Sequence, residues 1–177
     1  MVPGNYRVGI GYDSHRLRPG GPIRLGGVDV PSTVELVGHS DADVLTHAII
    51  DAILGAAALG DIGDHFPPSD ETFRNADSLT LLRSAVEIAE ATGFKVVNVD
   101  ATVIAEAPNL GEQKRAMSHR LAEILGVPSG CVSVKASTNE GMGFIGREEG
   151  IAVHAVALLA QVGRSENRTE PGEERSG

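Results

Sequence analysis

Residues 42 to 59 constrain this chain more than any other stretch. Apart from Asp43, Thr46, His47 and Asp51, the segment is built of Ala, Val, Leu, Ile and Gly. Its length and composition predict a helix that is apolar on nearly every side, and such a helix must be buried by neighbours on several sides. Ser40 or Asp41 stands where an N-cap is needed, with first-turn N–H groups that form a ready anion site. Gly60-Asp61-Ile62-Gly63 is the stop signal. With 177 residues the chain is long enough for one domain with a substantial core and too short for two ordinary ones. Aromatic residues make up only 3% and Trp is absent, so Val, Ile, Leu and Ala must form that core.

The other elements follow from periodicity. After a loose leader over residues 1 to 5, Arg7 to Leu17 reads as a strand, with Val8, Ile10 and Tyr12 alternating against Gly9, Gly11 and Asp13. Arg24-Leu25 and Val28 to Val30 read as a short hairpin around Gly26-Gly27. Asp77 or Ser78 opens a second helix to about Thr92, with Leu79, Leu82, Val86 and Ala89 on one face. Lys95 to Ile104 is predicted as a strand. A third helix runs to Leu125 with Met117, Leu121, Ile124 and Leu125 inward, and Gly126 ends it. Val132 to Ser137 and Gly150 to Leu159 are the remaining strands. The order predicts an α/β (α+β) domain over residues 1 to 162, with helices packed on one side of a mixed sheet. Residues 163 to 177, devoid of a hydrophobic pattern, read as a disordered tail. Between the first two helices, Asp64-His65-Phe66-Pro67-Pro68-Ser69-Asp70 reads as a mobile loop suited to a lid.

Charge and cysteine usage narrow the function classes. A net charge of −9 argues against a non-specific nucleic-acid binder. It allows a phosphorylated small substrate, provided that metals, backbone N–H groups and a few placed cations hold the phosphates. A single cysteine, Cys131, fits a reducing compartment. No apolar run is long enough to span a bilayer and no signal-peptide pattern opens the chain, so a soluble, cytoplasmic protein is expected.

Asp13 and His15 lie two apart on a predicted strand and project to one face. His47 is the best-placed third donor. Two His and one Asp would leave a tetrahedral zinc with one open position, although the same residues also suit a hydrogen-bonded core cluster. The donor set suits manganese or cobalt as well. Asp51, four residues after His47, is expected to hold the second imidazole nitrogen. Gly141-Met142-Gly143-Phe144-Ile145-Gly146 matches a dinucleotide fingerprint in letters only, because a strand rather than a helix is expected beyond it. Lys135-Ala136-Ser137-Thr138-Asn139-Glu140 places a cation, hydroxyls, an amide and a carboxylate where a phosphate and its magnesium would meet them.

Taken in order, Asp13-x-His15, His39-Ser40-Asp41-x-Asp43, Leu54 to Gly63, Phe66-Pro67, Ala76-Asp77-Ser78, Ala107-Pro108 and Gly143-Phe144-x-Gly146-Arg147-x-Glu149-Gly150 resemble the 2-C-methyl-D-erythritol 2,4-cyclodiphosphate synthases. The resemblance runs from about Arg7 to Ala160. It implies a lyase of the non-mevalonate isoprenoid route that converts 4-diphosphocytidyl-2-C-methyl-D-erythritol 2-phosphate to the cyclic diphosphate and CMP. It also implies a homotrimer with active sites between subunits. On this resemblance Asp13, His15 and His47 hold zinc, and Glu140 helps hold the magnesium or manganese of the substrate diphosphate. His39 and Thr138 stabilise the transition state. Ala105, Glu106, Ala107 and Pro108 read cytosine largely through backbone groups. Asp61 and Gly63 meet the methylerythritol part, while Ser14, Ser40, Ile62, Phe66, Asp70, Ser137 and Asn139 complete the substrate contacts. Phe144 and Arg147 line a central pore that takes isoprenoid diphosphates.

The sequence departs from the family pattern at four places. Ala42 and Asn75 replace glycines, Pro68 stands where an acidic residue is usual, and His154 stands where a glutamate is often found. Two rival readings are a zinc-dependent phosphodiesterase or hydrolase, and a non-catalytic trimer that binds isoprenoid diphosphates.

Overall fold

The computed structural model describes residues 5–38, 40–73 and 76–162; the expected leader, His39, Asn75 and the tail expected from residue 163 lie largely or wholly outside them. Within these residues, five strands form one mixed sheet: β1 (Tyr6–Pro19), β4 (Val34–Val37), β5 (Phe94–Ile104), β6 (Val132–Ser137) and β7 (Gly150–Gln161). Their order is β4-β1-β7-β5-β6, antiparallel except for the parallel pair β5/β6. β2 (Ile23–Leu25) and β3 (Val28–Val30) form the expected hairpin apart from this sheet. The long helices are α1 (Val44–Ala57), α3 (Ser78–Ala91) and α4 (Gln113–Leu125); α2 (Ile62–His65) and α5 (Gly143–Gly146) are single turns.

α1 is buried along almost its whole length, as its composition requires. It lies unusually close to β1. A Cβ on Gly9 would sit 2.0 Å from the Ala52 carbonyl oxygen, and one on Gly11 would sit 1.9 Å from that of Ala48. Backbone meets backbone here, and Ala48, Ala52 and Ala56 on the helix are small for the same reason. The glycine row of β1 therefore faces the helices. The alternate row, including Val8 at 67% and Ile10 at 70% exposure, faces the other side of the sheet.

The expected boundaries hold to within about two residues at α1, α3, β5, β6 and β7, whereas some local features differ. The cap of α1 is Asp43, not Ser40 or Asp41: its carboxylate accepts from Thr46 N–H at 3.0 Å and from Gly26 and Gly27 N–H at 2.9 and 2.8 Å. This arrangement ties the hairpin to the helix and leaves Ala42 before the cap at φ +59°. That left-handed conformation costs an L-residue about 1 kcal/mol and explains why the position suits glycine. β4 was not expected; it is a short edge strand on β1. α2 joins the end of the expected stop signal to the first two residues of the segment read as a loop, and its N-cap Asp61 and Asp64 exchange side-chain and backbone bonds as a capping box. Another single turn spans Glu71–Phe73.

Candidate metal centre and nucleotide pocket

The period of two along β1 carries Asp13 and His15 to the face that α1 covers, and His47 comes down from the first turn of α1 to meet them. Asp13 Oδ2 lies 2.9 Å from His15 Nε2 and 3.1 Å from His47 Nδ1. The two imidazole nitrogens are 3.3 Å apart. One donor atom from each of the three residues falls within 4.8 Å of the others, the only such grouping among the described residues.

The outer nitrogen of each imidazole is engaged elsewhere. His15 Nδ1 lies 2.8 Å from the Val37 carbonyl, which only accepts, so Nδ1 carries the hydrogen and Nε2 faces the cluster. His47 Nε2 lies 2.9 Å from Ser78 Oγ and 3.0 Å from Ser40 Oγ. Asp51 does not hold this nitrogen as expected. Its carboxylate instead accepts from Ile62 N–H at 2.8 Å and so anchors the start of α2. Burial pushes the Asp13 carboxyl up, but the hydrogen bonds and charges of His15 and His47 outweigh it and hold the group well below the ordinary carboxylate range. Burial pulls His15 down, and the Asp13 hydrogen bond and charge more than reverse this, leaving its pKa raised.

A carboxylate oxygen and two oriented imidazole nitrogens fit a divalent transition metal, with room for a further ligand from the adjoining cavity. That cavity has a volume of about 370 Å³ and is lined by Asp13, His15, Ser40, His47, Ile62, Gly63, Phe66, Pro68, Phe73 and Leu81. Phe66 and Phe73 meet edge to face, with centroids 5.5 Å apart, and form its apolar wall. Of the residues that the resemblance names as substrate contacts, Ser40, Ile62, Gly63 and Phe66 line this cavity. The Asp61 side chain instead caps α2, and Asp70 turns to Thr72 N–H at 2.9 Å. His39 lies outside the described residues.

A second group of expected residues gathers around a separate cavity of about 230 Å³. Ala105, Glu106, Pro108, Ser137 and Thr138 line it, together with Asn109, Leu110, Lys114 and Ala136. The parallel pairing of β5 and β6 ends both strands at this edge, so their two following loops lie side by side. The Glu106 carboxylate joins them by accepting from Asn139 N–H at 2.9 Å and Gly141 N–H at 3.1 Å. Between those two donors Glu140 is held at φ +52°, a conformation unfavourable by about 1–2 kcal/mol for an L-residue. Thr138 Oγ1 donates to Glu140 Oε1 at 3.1 Å. The Ala107–Pro108 peptide is cis. Glu140 is no part of the Asp13, His15, His47 cluster, and the two cavities share no lining residue.

A third group lies near α5. Ser14 and Phe144 line a groove with His15, Arg16, Glu149 and Gly150. Arg147 is exposed and binds Glu149 through two bonds of 2.8 and 3.2 Å, which pushes the Glu149 carboxyl down. The Gly-rich motif forms the single turn α5 rather than a dinucleotide-binding helix. His154 sits on the uncovered face, its ring 4.9 Å from that of Tyr12. Ser78 and Asp41 were expected as helix caps and as letters of the family resemblance, with no role assigned at His47. The contact of Ser78 with His47 depends on where α3 packs, which local sequence does not encode.

Comparison with known proteins identifies relatives of the whole domain. Residues 6–160 match the model of the YgbB family. A 2-C-methyl-D-erythritol 2,4-cyclodiphosphate synthase of Symbiobacterium thermophilum is 57% identical over 153 residues, covering 86% of this chain and 98% of its own. A solved structure of a synthase of the same name, in its CDP-bound form, superposes with a TM-score of 0.80 at 36% identity, covering 86% of this chain and 99% of its own. The bifunctional IspDF of Campylobacter jejuni gives a TM-score of 0.86 at 42% identity, where 90% of this chain spans 43% of that longer one.

Proposed function

Because the chain belongs to the YgbB family, we propose that it is a 2-C-methyl-D-erythritol 2,4-cyclodiphosphate synthase of isoprenoid biosynthesis, releasing CMP from 4-diphosphocytidyl-2-C-methyl-D-erythritol 2-phosphate. The observation that carries the chemistry is the convergence of Asp13, His15 and His47 on the wall of a mainly apolar cavity. The nucleophile is an oxygen of the substrate's own 2-phosphate, whose second pKa of about 6 leaves it largely dianionic at neutral pH. No side-chain base is needed. Its attack on the β-phosphorus forms the cyclic P–O bond and breaks the bond to CMP.

The obstacle is repulsion between two polyanions, so the protein's task is positioning and charge compensation. A divalent ion held by Asp13, His15 and His47, with zinc as the proposed metal, would supply Lewis acidity at the diphosphate. Glu140 is the carboxylate proposed to meet the magnesium or manganese that the diphosphate carries, and Thr138 and His39 are the proposed transition-state partners. Ile62, Gly63 and Phe66 hold the methylerythritol part against an apolar wall that excludes water. The backbone of Ala105 to Pro108 receives the cytosine.

These two groups of residues line different cavities of one chain. An active site made from the metal end of one subunit and the nucleotide end of the next accounts for that separation. The uncovered sheet face with Tyr6, Val8, Ile10 and Val156 supports association, and a homotrimer is the proposed assembly, with Phe144 and Arg147 toward its central pore and an isoprenoid diphosphate as the proposed pore ligand. Among the described residues no helix is long and apolar enough to cross a membrane, which accords with a proposed cytoplasmic location.

The test is a phosphorus NMR time course with the substrate and magnesium. CMP and a cyclic diphosphate should appear together and stop when metal is chelated. CMP accompanied by an uncyclised 2,4-bisphosphate would overturn the synthase reading in favour of hydrolysis.

A further inference from the structure

Behind His47 lies a chain of polar contacts that reaches through Ser78 to Asp41 and Arg24. Ser78 is fully buried at the start of α3, and both its backbone N–H, at 3.1 Å, and its hydroxyl donate to the Asp41 carboxylate. Arg24 Nε, on the hairpin, stands 3.2 Å from Asp41 Oδ2 as a charge contact, while its terminal nitrogens reach Asp29 and Asp77 at 3.2 and 3.3 Å. A hydroxyl has one hydrogen, and that of Ser78 is committed to Asp41. Toward His47 Nε2, Ser78 Oγ can therefore only accept.

We infer that Asp41 and Ser78 are positioning residues that fix His47 as its Nε2–H tautomer, so that the Nδ1 lone pair always faces Asp13 and His15. The inference rests on the metal-site reading above and adds to it the device that sets the ligand's orientation. Ser40 alone cannot set it. Its hydroxyl, 3.0 Å from the same nitrogen, is free either to accept or to donate there. The carboxylate at position 41 decides the matter because it takes the Ser78 hydrogen away from His47. α3, which contributes none of the three metal donors, thereby controls the site through its first residue, and the Arg24 guanidinium holds the carboxylate in place.

An amide at position 41 should invert the relay. Ser78 N–H donates to Oδ2 at 3.1 Å and the Arg24 guanidinium charge lies beside the same oxygen; together they favour the amide oxygen there over the longer 3.3 Å bond from Asp43 N–H to Oδ1, which turns the NH₂ toward Ser78 Oγ. The hydroxyl then accepts from position 41 and donates to His47 Nε2, and the imidazole hydrogen moves to Nδ1, into the metal position.

The experiment is long-range proton–nitrogen NMR of the imidazoles in metal-free protein, at a pH well above the ordinary histidine value of about 6.5, for the wild type, Asp41→Asn and Ser78→Ala. It is paired with competition titration of zinc. The expected results are Nε2–H for His47 in the wild type, Nδ1–H in Asp41→Asn and a mixture in Ser78→Ala. Zinc affinity should fall by about 10–100-fold in both variants, the range usual for removal of a ligand's hydrogen-bond partner. A wild-type His47 carrying its hydrogen on Nδ1 would overturn the inference whatever the variants do. So would variants with wild-type tautomer and wild-type affinity. A wild type with the expected tautomer but no zinc binding would instead sink the metal reading and leave the relay standing.

Discussion

The two ends of the candidate site are built in opposite ways. At the metal end, side chains do the work from regular elements: Asp13 and His15 from β1, His47 from α1, with their second atoms held by Val37, Ser40 and Ser78. At the nucleotide end β5 and β6 have run out, and the two loops that follow them are fastened to each other by one carboxylate, Glu106. Side chains on buried elements are placed to within a few tenths of an ångström by core packing, which a metal's short bonds require. Loop backbone offers N–H and C=O groups in pairs, which suits the edge of a base. The difference predicts that lesions at the metal end abolish chemistry or folding, and that lesions at the nucleotide end weaken binding.

The largest effect is expected from His47→Ala. Removing one of three donors should abolish zinc binding, measured by metal analysis of the purified protein, and lower kcat by about 10³-fold or more, as loss of several kcal/mol of electrostatic stabilisation requires. Retained zinc with full activity would refute the assignment of the metal end. Gly11→Ala comes next. Its Cβ would lie 1.9 Å from the Ala48 carbonyl oxygen, a backbone atom that cannot turn aside. β1 and α1 must separate, and with them Asp13, His15 and His47. Overpacking of this kind costs about 1–3 kcal/mol and more where backbone is struck, so the denaturant midpoint should fall and zinc affinity with it. An unchanged midpoint would mean that the close approach is not a feature of the folded protein.

Much of this comparison was legible in the sequence, and unevenly so. The period of two put Asp13 and His15 on one face without any knowledge of the fold, and the buried character of α1 made His47 conspicuous. Direction was less legible. The strand alternation of Val8, Ile10 and Tyr12 against glycines marks two faces, yet the face turned to the core is the glycine face, because helix proximity outweighs side-chain apolarity at that contact. Partners distant in sequence were not legible at all. Asp51 has the right helical spacing to support His47, but α2 presents an unsatisfied N–H at Ile62 and takes the carboxylate, while α3 delivers Ser78 to the imidazole. The cap of α1 was misplaced for a similar reason, since Asp43 is selected over Ser40 and Asp41 by the Gly26 and Gly27 N–H groups of the hairpin. At the nucleotide end, Ala105 to Pro108 came from the family resemblance, whereas the tie from Glu106 to Asn139 and Gly141 needed the parallel pairing of β5 and β6.

Glu106→Ala tests that tie. It frees the Asn139 and Gly141 N–H groups to water and releases the left-handed Glu140, so the loops lose their shared geometry without touching the metal cluster. KM for the cytidine substrate should rise by about 10-fold, the equivalent of one hydrogen-bonded anchor of about 1.4 kcal/mol, while zinc content stays at the wild-type level. A variant that lost zinc as well would erase the distinction between the two ends.

The smallest effect is expected where the metal end borders α2. Burial pushes the Asp51 carboxyl up, the Ile62 N–H bond pulls it down, and the charges of Asp61 and Asp13 push it up again, with a net raised pKa. A carboxyl whose folded pKa exceeds its unfolded one binds its proton more tightly in the folded state. The associated destabilisation is absent below the unfolded value, grows as pH rises through the interval up to the folded one, and is complete above it. Asp51→Asn keeps an oxygen for Ile62 N–H and removes the charge. The metal-free Asp51→Asn variant should therefore unfold at a slightly higher temperature than the wild type at neutral pH, and the gain should vanish in acid. An equal gain at both pH values would show that shape or helix propensity, rather than charge, sets the effect. A loss at neutral pH would show that the Asp51 charge is compensated at this border and belongs, electrostatically, with the metal end.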